Sequence, residues 1–202
     1  MSACGNASTA TTATDYITDG KGELWRRVNK NVVYRVSHAT CSDNGSLIDN
    51  GSNGGVSGSD ILVLESHDTA TYKVNVEGVG PTPLKDLSIV QAAGLIETTK
   101  GPIIGIFNQY AHHGQGKTIY SEAQMKSFGI EVSTEARALG GKQPIKTPEG
   151  YVISLAIHHG LFYMDLHPPT DSELELYPHV IITSEVDCNP DVLDSEVDDM
   201  DV

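Results

Sequence analysis

The run Leu47-Ile48-Asp49-Asn50-Gly51-Ser52 puts a carboxylate where an apolar segment would not otherwise carry one. Two apolar residues lead into Asp49, a glycine follows two positions later, and a small hydroxyl residue comes next. Asp is a poor strand former and costly to desolvate, so an acid at the tip of an apolar run needs an explanation. Three readings compete. The first is a plain hairpin turn, because Asn50 and Gly51 both tolerate positive φ. The second is a phosphate cradle in the glycine-rich stretch from Gly51 to Gly58. It has no G-x-G-x-x-G spacing and no following lysine in the loop. The third is an acid–base carboxylate delivered by a buried strand and held by a tight turn. Gly51, lacking a Cβ, would let a backbone N–H approach the carboxylate, and the Ser52 hydroxyl would bond its outer oxygen.

The elements that must position this loop are mostly strands. Asn31 to Ser37, Ser46 to Asp49 and Ile61 to Glu65 are short apolar or β-branched runs, and Thr71 to Val79 alternates with a period of two. Leu87 to Ile96 and Gly101 to Phe107 are two longer runs around a polar turn at Glu97 to Lys100. Thr118 to Tyr120 is a short strand, and Ser121 to Phe128 is the best helix, capped by Ser121 and ended by Gly129. Pro148-Glu149-Gly150 joins a hairpin of Gln143 to Ile145 and Tyr151 to Ile157, with Leu161 to Leu166 as its third strand. Pro168-Pro169 closes the ordered part, and Tyr177 to Thr183 reads as one further strand.

Composition narrows the function classes. The chain has 202 residues, with 13 basic and 27 acidic side chains and a net charge of -14. Eight of the acids lie between Glu185 and Val202, where there is no Lys or Arg; without them the charge is an ordinary -6. That end reads as a solvated tail. With no basic stripe, direct nucleic-acid binding is not expected. Cys4, Cys41 and Cys188 form no paired spacing, so neither a disulfide framework nor a zinc site is indicated, and a reducing compartment is the default. No apolar run approaches the roughly 20 residues that cross a bilayer.

Other constellations fall away on spacing. His112-His113 and His158-His159 are neighbours that would point to opposite faces of a strand, so neither a metal nor another cofactor is expected. Gly114-Gln115-Gly116-Lys117-Thr118 ends like a phosphate loop, but Ala111 stands where its first glycine belongs. A serine-hydrolase G-x-S-x-G is absent from the sequence.

With those residues in order, the chain resembles the protease region of copia-type retrotransposon polyproteins, in the divergent forms of algae, diatoms and similar microbes. Leu47 to Gly58 (LIDNGSNGGVSG) is similar to the aspartate loop of that subgroup. Gly101 to Tyr110 (GPIIGIFNQY) and Gly114 to Ile119 are similar to the segments that follow it. Ser121 to Phe128 (SEAQMKSF) resembles the Ser-x-x-Gln-Leu helix, and Gly140 to Met164 resembles the small β segment before the integrase. The resemblance spans roughly Asn31 to Asp194, and it rests on the ordered set of motifs.

The resemblance implies a mainly β fold: a retropepsin-like closed barrel with one short helix, then a small β-hairpin subdomain and a disordered acidic tail. The expected divisions are a low-complexity leader over 1–30, the protease domain over 31–128, the pre-integrase-like segment over 129–170 and the tail over 171–202. It also implies an aspartic endopeptidase that cuts its own polyprotein, in a cytoplasmic or virus-like-particle setting, without membrane or direct nucleic-acid contact. Asp49 would be the catalytic carboxylate, supported by Asn50, Gly51 and Ser52. One Asp-x-Gly-Ser loop gives one carboxylate, so the pair would form across a homodimer. Two carboxylates about 3 Å apart share a proton: one activates a water, and the other protonates the developing oxyanion. Asn50 stands where the family carries Thr or Ser, whose hydroxyl bonds across the dimer. Thr118-Ile119-Tyr120-Ser121 would be the second apolar motif, with Ser in place of Gly. The flap would come from Thr71 to Val79 and Leu87 to Phe107. The alternative is a catalytically decayed barrel serving as a structural or assembly segment of the polyprotein. A generic β-sandwich binding module rests on strand content alone.

Overall fold

The computed structural model describes residues 16–18, 24–26, 45–64, 73–78 and 82–186. The expected strand from Asn31 to Ser37, all three cysteines and the acidic end beyond Val186 lie outside the described residues. The chain separates into two units, 1–36 and 37–202. In the first, β1 (Tyr16–Thr18) pairs antiparallel with β2 (Leu24–Arg26), so the expected leader contains a two-stranded ladder.

The second unit is mainly β. It begins with β3 (Ser46–Asp49), β4 (Val56–Ser57), β5 (Leu62–Leu64), β6 (Lys73–Val76), β7 (Leu84–Ile96) and β8 (Ile103–His112). Then come β9 (Ile119–Ser121), α1 (Glu122–Ser127), β10 (Glu131–Val132), β11 (Pro144–Lys146) and β12 (Val152–Ser154). The last elements are β13 (Ala156–His158), β14 (Leu161–Met164), α2 (Asp171–Leu176) and β15 (His179–Ile181). One sheet runs in the order β13-β14-β3-β9-β4-β8-β7-β5, with β15 added to β8 and β6 to β7. A smaller sheet holds β10, β11 and β12.

The long β7–β8 hairpin organises the core, because both of its faces are covered. Ala92, Ile96, Ile103, Phe107 and Tyr110 face one cluster, together with Ile48, Tyr120 and Met125. Ala93, Leu95, Ile104 and Ile106 face the other, which Leu174 and Tyr177 cover. Two-sided burial is what turns these strands into continuous apolar runs instead of alternating ones. Phe107, Tyr110 and Tyr120 pack ring against ring, with centroids 4.8 to 6.0 Å apart. Each fully buried side chain of this size contributes roughly 1.5–3 kcal/mol.

Three expectations are corrected. The expected closed barrel is an open sheet that ends at β13 and β5. β13 has exposed residues on alternate positions, so no apolar face drives it against a further strand. The segment 129–170 is not a separate subdomain. β14 pairs antiparallel with β3, and Ile130, Val132, Ile145 and Ile153 share the core with Ile48. The expected strand Tyr151 to Ile157 is split into β12 and β13, and Leu161 to Leu166 does add to it: β14 pairs antiparallel with β13 on one edge and with β3 on the other. Finally, the expected tail folds as far as 186. Its helix α2 is a second helix, capped by a reciprocal Thr170–Glu173 box, and β15 pairs parallel with β8. The apolar outer face of β8 is covered by Leu174 of α2 and by Tyr177, while β15 adds to the edge of β8 and sends Val180 into the opposite cluster.

Candidate active site

Asp49 ends β3, and β3 lies in the middle of the sheet. It pairs parallel with β9, Asp49 opposite Ser121, and antiparallel with β14. Leu47 and Ile48 are buried, which anchors the strand, and the chain then turns at the exposed Asn50 and Gly51. The Gly51 N–H donates to Asp49 Oδ1 at 2.9 Å, the approach expected of a residue without Cβ. A Cβ on Gly51 would sit 3.4 Å from that same oxygen. Asp49 itself is partly exposed, so its carboxylate is reachable from outside the chain.

The Ser52 side chain differs from expectation. Its hydroxyl donates to the carbonyl of Gly54 at 2.5 Å and does not bond Asp49. The local turn satisfies that hydroxyl within its own loop, as short hydroxyl side chains commonly do. Ser52 contributes instead through its backbone: its carbonyl accepts from the Ser121 hydroxyl at 2.6 Å. Asn50 is exposed at the tip of the turn.

Three residues outside the expected site brace this loop and the strand that leads into it. Ser121, buried, caps α1 by accepting from the Gln124 N–H at 3.1 Å while it donates to the Ser52 carbonyl. Gln124, buried, accepts from the Gly55 N–H at 2.8 Å. Asp60 ties the start of β3 to β9: it accepts from the Ser46 hydroxyl, from the Thr118 N–H at 2.8 Å and from the Thr118 hydroxyl at 2.7 Å. Ser46 precedes Asp49 by three strand residues, about 10 Å. Asp60 therefore braces the far end of the strand and does not pair with Asp49. The helix signal made Ser121 legible as a cap, whereas nothing local marks Asp60 or the destination of the Gln124 side chain.

Burial also fixes the loop's exit. A Cβ on Gly55 would lie 2.3 Å from the Tyr110 ring, so only glycine lets the chain pass there. The Tyr110 and Tyr120 hydroxyls are buried, and desolvation holds both phenols well above their ordinary ionisation range.

The region expected to form a flap is a two-stranded arm. β6 pairs antiparallel with the first part of β7, through Lys73↔Ser88, Val74↔Leu87 and Val76↔Leu84. Asp86, at positive φ, donates its N–H to Asn75 Oδ1. Past Ser88 the same strand joins β8 and becomes buried.

Among the described residues, no group of three or more His, Cys, Asp or Glu side chains is arranged to hold a metal ion. No described helix is long and apolar enough to cross a membrane. No family model, curated protein or solved structure matches the chain.

Proposed function

We propose that this chain is an aspartic endopeptidase of the retropepsin class that processes its own retrotransposon-type polyprotein. Asp49 supplies one carboxylate, and the same residue of a second copy supplies the other. The observation that carries the reading is the seating of Asp49. It stands at the end of a buried strand with a glycine N–H on its carboxylate, and the loop behind it is tied to the strand and helix that follow. The order β3-β9-β4-β8, with β3/β9 and β4/β8 parallel and β9/β4 antiparallel, supports a retropepsin-like arrangement. The antiparallel pairing of β6 with the first part of β7 supports a flap in this region.

In this mechanism the two Asp49 carboxylates share a proton across the dimer axis. The ionised partner takes a proton from water as that water attacks the peptide carbonyl, and the other donates to the oxyanion. Gly51 keeps the carboxylate plane fixed through its N–H. Cleavage of a peptide spanning one of the polyprotein's own junctions, at mildly acidic pH, tests the reading. The Asp49→Asn protein should lose at least about a hundredfold in rate. Equal rates in the two proteins would refute it.

The second reading is a catalytically decayed protease fold acting as a structural or assembly segment of the polyprotein. Asn50 favours it, since an exposed amide occupies the position where a small hydroxyl would bond across the dimer. A strictly monomeric chain in sedimentation would select that reading, because Asp49 would then lack its partner.

A further inference from the structure

The segment Ser121-Glu122-Ala123-Gln124 has the spacing of a capping box. In such a box the third helical residue returns its side chain to the N–H of the cap. Gln124 does something else. Its Oε1 accepts from the Gly55 N–H at 2.8 Å, and its Nε2 donates to the Gln109 carbonyl at 3.1 Å. Both ends of a buried amide are thus committed to segments outside its own helix.

The two partners are unusual places in the chain. Gly55 is the exit of the aspartate loop, pressed onto the Tyr110 ring so closely that no side chain fits. Gln109 sits inside β8 at a φ of 61, where the β7–β8 register shifts between Val90 and Ala92. A non-glycine residue in that left-handed region is disfavoured and persists only where its surroundings hold it. At such a bulge the ladder leaves a residue unpaired, and here Gln124 takes up its carbonyl. Meanwhile the Ser121 hydroxyl holds the Ser52 carbonyl at the other side of the loop. The cap and the third residue of α1 therefore grip the loop at both of its ends.

We infer that Gln124 is a positioning residue for Asp49: it locks the loop's exit onto the β8 bulge, so that the carboxylate keeps one orientation. The catalytic consequence rests on the aspartic-protease reading, but the clamp itself does not. Hydrogen exchange at the Gly55 amide of the full chain, read alongside kcat and KM for Asp49-dependent peptide cleavage, tests it. Gln124→Met keeps the side-chain shape and removes both bonds. In that variant exchange at Gly55 should accelerate roughly tenfold or more. The kcat should fall by a similar factor while KM stays within about twofold.

If Gln124→Met does not fold, Gln124→Asn, one methylene too short to reach both partners, should show the same acceleration. Thr134→Val is the control. It removes a hydrogen bond to Glu122 of the same helix, and should lower Tm without speeding exchange at Gly55. An unchanged Gly55 amide in a folded Gln124 variant overturns the inference, as does an equal acceleration in Thr134→Val. Faster exchange at Gly55 with unchanged kcat would leave the clamp standing and remove its role in positioning Asp49. Absence of any Asp49-dependent cleavage in the unsubstituted protein would instead defeat the protease reading, and the exchange result would still decide the clamp.

Discussion

Helices α1 and α2 are each six residues long, and each begins on a hydroxyl cap with an amide or acid at its third position. In α2 the box closes on itself: Glu173 Oε2 accepts from the Thr170 N–H at 2.7 Å, and the Thr170 hydroxyl accepts in return from the Glu173 N–H. In α1 the cap is formed in the same way, but the third side chain leaves the helix for Gly55 and Gln109. Helix α2 uses its start to stabilise itself. Helix α1 uses its start to hold the loop that carries Asp49. A local motif thus reports where a helix begins, and the departure from it reports what the helix is for.

Substitutions at the two starts should separate these roles. The largest effect is expected at Ser121→Ala, which removes a helix cap and strips the Ser52 carbonyl of its donor in a partly buried site. Together these cost about 3 kcal/mol in chemical denaturation. A loss no greater than that of Thr170→Ala would erase the distinction. Gly55→Ala should come next, at about 2 kcal/mol, because the new methyl meets the Tyr110 ring. Gly78→Ala, at a position where a Cβ meets nothing within 4 Å, should change stability by less than about 0.5 kcal/mol. Thr170→Ala should cost only about 1 kcal/mol, the ordinary value of a cap.

The smallest effect concerns pH. The Glu173 carboxyl is held below its ordinary range, first by the Thr170 backbone N–H, then by the Thr170 hydroxyl, with His167 adding a favourable charge. A lowered folded value means that this stabilisation is complete above the unfolded carboxylate range. It disappears as pH falls through the lowered value. Glu173→Gln should therefore flatten the acid limb of the stability curve slightly, and an unchanged limb would show that the box contributes nothing there.

The strand character of the chain was readable from its sequence, and so was the Asp49 loop with its Gly51 contact, because both depend on local residue types. The α1 cap was readable for the same reason. Helix α2 carried an equally local signal, Thr170 to Glu173 after Pro168-Pro169, but the expected divisions assigned it to the tail. What places it in the fold is tertiary demand. The apolar outer face of β7 and β8 needs a cover, and Leu174 and Tyr177 supply it. The bonds from Asp60 to Thr118 and from Gln124 to Gly55 were not legible, because each joins residues more than fifty positions apart. Ser52 was misplaced by a smaller margin: its hydroxyl had a carbonyl two residues on in its own loop, and took it.

The proposed cleavage requires two copies of Asp49 to act together. The direct measurement is the cleavage rate of unsubstituted protein mixed with Asp49→Asn protein, after subunit exchange and at constant total concentration. If both carboxylates of a dimer are required, an equal mixture should retain about one quarter of the activity, since only that fraction of dimers carries two intact aspartates. Retention of about one half, the result for chains acting singly, would contradict the account.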